Sequence, residues 1–244
     1  MNRSPRRLLI AGLLFALTFV SAIVGAALYV PVLTDPGYVL GPGADGVVIA
    51  GALCELVLIA ANIGTALALF PMLRRASEPL ALGYVAARLV ECTFIAVGIL
   101  SVLTIVTLRS GPTAADPGAL IGTSAALVAL HDWTFLLGPG FVVGIGNGLM
   151  LGFLMWRARL MPAWLCVVAM IGGPILTVSG VAVMFGGYEQ TSVWSGLATL
   201  PEIVWEASLA ILLTVRGIRA MRESRRAGAA TPAMQTPAIP NGGR

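Results

Sequence analysis

Glu55, Asn62, Arg88, Glu91 and Glu206 stand inside long apolar runs of a 244-residue chain. A charge at the centre of a membrane helix costs roughly 2.5–3.5 kcal/mol on insertion scales, so such groups face a protein interior or a wet cavity. They are candidates for handling an ion, a proton or a small polar solute. Glu91 lies about 15 Å along its helix from Ala81 at 1.5 Å per residue, close to the midplane. Removal from water favours a carboxyl's neutral form, which makes Glu55, Glu91 and Glu206 candidate proton carriers. The competing assignment is a set of hydrogen-bonded carboxyls that lock helices together. Asn62, seven residues after Glu55 on the same helix face, and Asn147 are ligands or helix bridges on the same reasoning.

Arg88 and Glu202 have local explanations. Arg88 lies three residues before Glu91 on one face, where pairing lowers the cost of both charges, and its tilt toward the helix N-terminus lets it snorkel to the nearer boundary. Thr199, Pro201 and Glu202 fit a capping box, with Thr199 as the cap and Glu202 returning to its amide. On this reading the acids divide into an Arg88/Glu91 pair leaning one way and Glu55 and Glu206 leaning the other.

These residues require helices that cross a bilayer. Hydrophobic residues make up 58% of the chain and charged ones 11%, with a mean hydropathy of +0.93, far from the balance of a soluble domain. Spans are expected at about 8–33, 47–73, 81–108, 133–156, 163–186 and 200–218, each having the roughly 20 residues a crossing needs. The expected fold is all-α: a polytopic six-helix transmembrane bundle over residues 1–218, followed by a basic and then disordered tail over 219–244. Arg3, Arg6, Arg7, Arg74, Arg75, Arg157, Arg159, Arg216, Arg219, Arg222, Arg225 and Arg226 fall on one side of a six-span path and Arg109 on the other. The positive-inside rule then places both termini on the cytoplasmic side of the plasma membrane. The first run is too long for a signal h-region and is taken as an uncleaved helix. Ala119 to Leu130, too short to cross alongside the next span, is expected to lie along the outer interface or dip into the bundle, with His131, Asp132 and Trp133 marking the surface.

Gly140, Gly144, Gly148 and Gly152 recur every four residues and predict a close-packing seam. Gly172, Gly173 and Pro174 predict a kink in the fifth span. Gly144, Gly146 and Gly148 resemble a nucleotide loop only superficially, since no strand precedes them. Spans two and six share a faint Glu-(Leu/Ile)-Val pattern at Glu55 and Glu202, of the kind apolar sequence produces by chance.

Inventory disposes of most catalysis. No lysine is present, which removes Schiff-base chemistry. His131 is the only histidine, which excludes multi-histidine zinc, bis-histidine haem and HExxH sites. Ser179 with His131 is the one serine–histidine pair within the spans' reach, and no spacing brings the two together. Cys54, Cys92 and Cys166, all in apolar spans, are small core residues. No cofactor or metal is expected, and arginines confined to loops and tail do not suit nucleic acid.

Asn62-Ile63, the run Ala66 to Phe70, Leu73-Arg74-Arg75, Leu80 to Leu82 and Arg88-Leu89-Val90-Glu91 together resemble the bacterial membrane family catalogued as domain of unknown function 4386. The likeness runs from the first span to Gly217, with Arg88 to Glu91 its most specific part. It implies a multi-pass membrane protein and carries no activity or functional residue with it. The leading expectation is a small-solute or ion transporter or permease, proton-coupled, with Glu55, Glu91 and Glu206 as carriers and Arg88 as counter-charge. The alternative is a non-catalytic accessory subunit with a membrane protein partner or a second copy of itself; an intramembrane enzyme ranks third. The lipid bilayer is the surrounding partner in each case.

Overall fold

A computed structural model describes residues 5–111 and 116–230. Six helices are long and apolar enough to cross a membrane: α1 (Pro5–Thr34), α2 (Asp45–Leu73), α3 (Glu78–Arg109), α4 (Pro117–Arg157), α5 (Ala163–Met184) and α6 (Val193–Ala230). No strand occurs among the described residues. The protein is an all-α, multi-pass membrane protein. Each helix packs on its neighbours in sequence, and α6 closes against α1, so the six form an up-and-down ring. An even number of crossings puts Pro5 and Arg226 on one side, called here the near side. Short loops and local chemistry set the ends. The Asp116 carboxylate accepts the Gly118 and Ala119 amides at 3.2 and 3.3 Å, with Pro117 opening α4. Gly186, at φ 73°, takes the chain out of α5 in the left-handed region.

Polarity is inverted relative to a soluble bundle. Leu13, Val20, Leu53, Leu67, Leu100, Ile171, Val178 and Ile211 are exposed, whereas Asn62, Arg88, Glu91, Asn147 and Glu202 are buried. Hydrocarbon leaves no other place for groups that need hydrogen bonds.

Three features differ from the sequence expectation. Ala119 to Leu130 belongs to α4, a single helix of 41 residues rather than an interfacial segment followed by a span at 133–156. Asp132 lies 25 residues before the Arg157 end, more than the roughly 20 a crossing needs, so it sits at the far boundary with its side chain 60% exposed. Trp133 is exposed beside it, but His131 is turned inward and is 7% exposed. The expectation that all three mark the surface therefore fails at His131, because one helical turn presents both a lipid-facing and a bundle-facing side.

The second difference is in winding: Leu136–Val142 and Gly144–Leu151 are π-helical. Pro139 supplies no amide there. Gly138 rests against Phe94, Gly146 against Ala87, and Gly144 and Gly148 against Gly173. The glycine seam thus meets α5 at a backbone-to-backbone approach that a Cβ on Gly144 or Gly148 would block; Gly152 continues it against Ala169, while Gly140 touches only its own turn and lines a cavity. Pro174 sits inside the unbroken α5, one residue after that contact.

Third, α6 begins at Val193, well before the expected start at 200, and runs to Ala230. Thr199 is therefore mid-helix and donates to the Ser195 carbonyl at 2.8 Å, so the expected capping box does not form. The tail expected over 219–244 falls, from residue 231 on, outside the described residues, and α6 carries its first part.

Candidate functional site

The interior polar groups converge on Arg88. Four helices bring them there: α2 supplies Asn62, α3 supplies Tyr84, Arg88 and Glu91, α4 supplies Asn147, and α6 supplies Glu202, Trp205 and Glu206. Arg88 is 2% exposed. Its Nη1 donates to Glu91 Oε2 at 2.7 Å and its Nη2 to Asn147 Oδ1 at 2.9 Å, with Glu206 Oε1 at 3.5 Å. Its Nε reaches the Tyr84 hydroxyl at 3.4 Å. The guanidinium lies between the Phe15 and Tyr84 rings, 5.7 and 5.8 Å from their centroids, where each ring face attracts the cation. Snorkelling is overturned: the charge has turned inward, because pairing and ring stacking are available there and not at the lipid boundary.

Asn147 links the two acidic helices. Its Nδ2 donates to Glu202 Oε1 at 2.8 Å and to Glu206 Oε1 at 2.7 Å while its Oδ1 accepts Arg88. Four residues apart on α6, Glu202 and Glu206 share one face. Trp205, fully buried, fixes the backbone beneath them by donating its Nε1 to the Asn147 carbonyl at 3.0 Å. Asn62 Nδ2 donates to Glu91 Oε1 at 3.0 Å, closing the far end of the network.

This arrangement corrects two separations drawn from the sequence. Glu206 does not lean away from the Arg88/Glu91 pair but joins it. Glu202, expected in a cap, is 4% exposed and part of the same network. Sequence reasoning misses Tyr84, Trp205 and Phe15; Tyr84, four residues before Arg88 on one face, carries the spacing signal that could find it.

Above the network, toward the far side, lies a cavity of about 540 Å³. Glu91, Glu202 and Glu206 form its floor with Arg88, and Gln190, Thr191 and Ser192 of the far-side α5–α6 loop form its rim. Glu55, set apart from the Arg88 network, lines the wall beside the Tyr29 hydroxyl. Tyr29 in turn meets His131 edge to face at 5.7 Å. Ser179 also lines the cavity, but its Oγ accepts the Tyr188 hydroxyl at 2.8 Å and makes no hydrogen bond to His131. The pair offers no nucleophile–base contact of the kind hydrolysis needs. Cys54, Cys92 and Cys166 are free thiols, and no cluster of three or more His, Cys, Asp or Glu among the described residues is arranged to hold a metal ion.

Chemically, one guanidinium pairs with Glu91 and Glu206 while Asn147 ties Glu202 to them, all at the bottom of the cavity. Such a floor can take up a positive charge, whether a proton or a cationic group, without building a new binding surface. No curated protein and no solved structure matches the chain. Over residues 10–217 it matches the family model described as Domain of unknown function (DUF4386), and it belongs to that family.

Proposed function

We propose that the protein is a carrier of small solutes or ions, with the Arg88-centred carboxyls as its binding and proton-exchange site. The observation that carries this reading is the cavity, which leads from the far-side loop to Glu202 and Glu206 and stops there. A structural lock alone needs no approach from solvent, whereas a carrier needs its charged groups at the end of one. Glu91, Glu202 and Glu206 outnumber their counter-ion, so a proton or a cationic solute completes the charge balance. Asn62, Asn147 and Trp205 position these groups, and Glu55 with Tyr29 and His131 forms a second polar step on the cavity wall.

Arginine placement orients the carrier. Arg6, Arg7, Arg74, Arg75, Arg157 and Arg159 lie at near-side helix ends and turns, Arg216 within α6 reaches the Leu160 carbonyl of one of those turns, and Arg109 is opposite, so the near side is cytoplasmic and the cavity opens outward from the plasma membrane. The accessory-subunit alternative draws on the glycine seam; its closest contacts are to Gly173 of the same chain, which leaves that face occupied.

Proteoliposomes test the reading. An imposed pH gradient collapses faster with the wild-type protein than with Glu206→Gln or Glu91→Gln, read by an internal pH-sensitive dye. Equal rates for the wild type, both variants and empty liposomes overturn it.

A further inference from the structure

The cavity is open to the lipid side as well as to the far face. In the near half α6 is pressed onto α1, so that a Cβ on Gly12 would strike Thr214 and one on Gly217 would strike the Leu9 backbone. In the far half that contact is lost. Nothing lies within 4 Å of where a Gly196 side chain would begin, and the cavity wall runs through Ile23 of α1 and Ile203 of α6, which are 59% and 42% exposed. An apolar path therefore leads from the lipid-facing surface between α1 and α6 to the acidic floor. At that floor Glu202 is 4% exposed and its Oε2 has no hydrogen-bond partner. That oxygen is sealed from the cavity and turned toward Gly148, so the acid that faces the opening is Glu206, whose side chain is 24% exposed.

Resting on the carrier reading, which it deepens by naming the substrate class, the geometry points to a lipophilic organic monocation that enters between α1 and α6. Its apolar body lies against Phe19, Ile23, Phe135, Leu176 and Ile203, and its charge lies at Glu206, the exposed acid of the floor. The cavity volume of about 540 Å³ falls within the roughly 300–1,000 Å³ of pockets that enclose small organic ligands. An anion of the same shape would set its charge against three carboxyls, which is the repulsive element that gives the site its selectivity.

Tetraphenylphosphonium and tetraphenylborate share a shape and differ in charge sign, so separate calorimetric titrations of the detergent-purified full chain, blanked against empty micelles, test the assignment. One saturable site for the phosphonium and none for the borate is expected. Glu206→Gln weakens phosphonium binding at least tenfold, and Gly196→Trp, which fills the mouth where there is open space, slows its association at least tenfold. No saturable phosphonium site, equal binding of the borate, or binding unchanged in both variants overturns the proposal. Gradient-driven proton flux that depends on Glu206, without a phosphonium site, removes the cation class and leaves the carrier. A phosphonium site without flux does the reverse.

Discussion

The near and far halves of the bundle are built from the same six helices and are packed in different ways. In the near half Leu8, Phe15, Leu69, Leu73, Tyr84, Met155, Leu165, Trp205, Leu209 and Leu213 form one apolar core to which all six helices contribute. In the far half the core is confined to one side of the ring, where Tyr29, Val32, Tyr38, Val48, Ile99, Val102 and Ile105 join α1, α2, α3 and the α1–α2 loop. That loop is clamped by Arg109, which bonds Asp45 at 2.6 and 2.8 Å and also reaches the Gly41 carbonyl. Helix α6 takes no part in this second core, and the cavity occupies the space it leaves. The polar network lies where the two regimes meet. Apolar packing seals one end, and charge is placed at the last point that water or a ligand can reach.

The contrast can be broken from either side. The largest effect is expected at the junction. Arg88→Met leaves Glu91, Glu202 and Glu206 without their cation, and loss of one partner from a buried pair costs about 3–5 kcal/mol, read as a shift in unfolding in detergent. A loss below ~1 kcal/mol would mean the network is hydrated and the junction is not dry. Next comes a paired test of the two halves. Gly12→Leu forces α1 off α6 and costs about 1–3 kcal/mol, whereas Gly196→Leu points into open space and stays within about 0.5 kcal/mol. Equal losses would mean the halves are equally packed.

The smallest effect belongs to the far clamp. The Tyr38 hydroxyl donates to Asp45 at 3.0 Å, and burial, followed by that bond, pushes the phenol up to about 12. Tyr38→Phe costs about 0.5–1.5 kcal/mol. Since the folded phenol holds its proton more tightly than an unfolded one, this contribution is complete below the unfolded value of about 10 and is lost as pH rises through the folded value. Thermal melts of wild type and Tyr38→Phe therefore converge at high pH, and parallel curves would remove the hydroxyl from the clamp.

Much of this architecture is legible in the amino-acid sequence. Long apolar runs can do little in water but can cross a bilayer, so the six spans follow from length and hydropathy. Arg88 and Glu91 are three residues apart, so their pairing is local and readable too. The rest depends on how helices face one another. Asn147 and Glu206 reach Arg88 through the rotation of α4 and α6, which spacing within either helix does not encode. The tilt rule separates Glu206 from Arg88, yet the free energy of pairing a buried charge exceeds any preference in side-chain direction. The capping box at Thr199 is plausible chemistry placed on a helix that starts about two turns earlier, where Val193 and Trp194 read as loop. His131 directly precedes Asp132 and Trp133 in sequence, although adjacent residues point to different faces of a helix.

Reagent access along α6 tests the central claim most directly. With Cys54, Cys92 and Cys166 replaced by alanine, single cysteines at Ser195, Thr199, Glu206, Leu209 and Leu213 are exposed to a membrane-impermeant cationic thiol reagent on intact cells. The account predicts rapid labelling at Ser195 and Thr199, slower labelling at Glu206 on the cavity floor, and none at Leu209 and Leu213 in the sealed half. Labelling that stops above Thr199, or that continues through Leu209 to Leu213, would contradict a cavity that ends at the carboxyls.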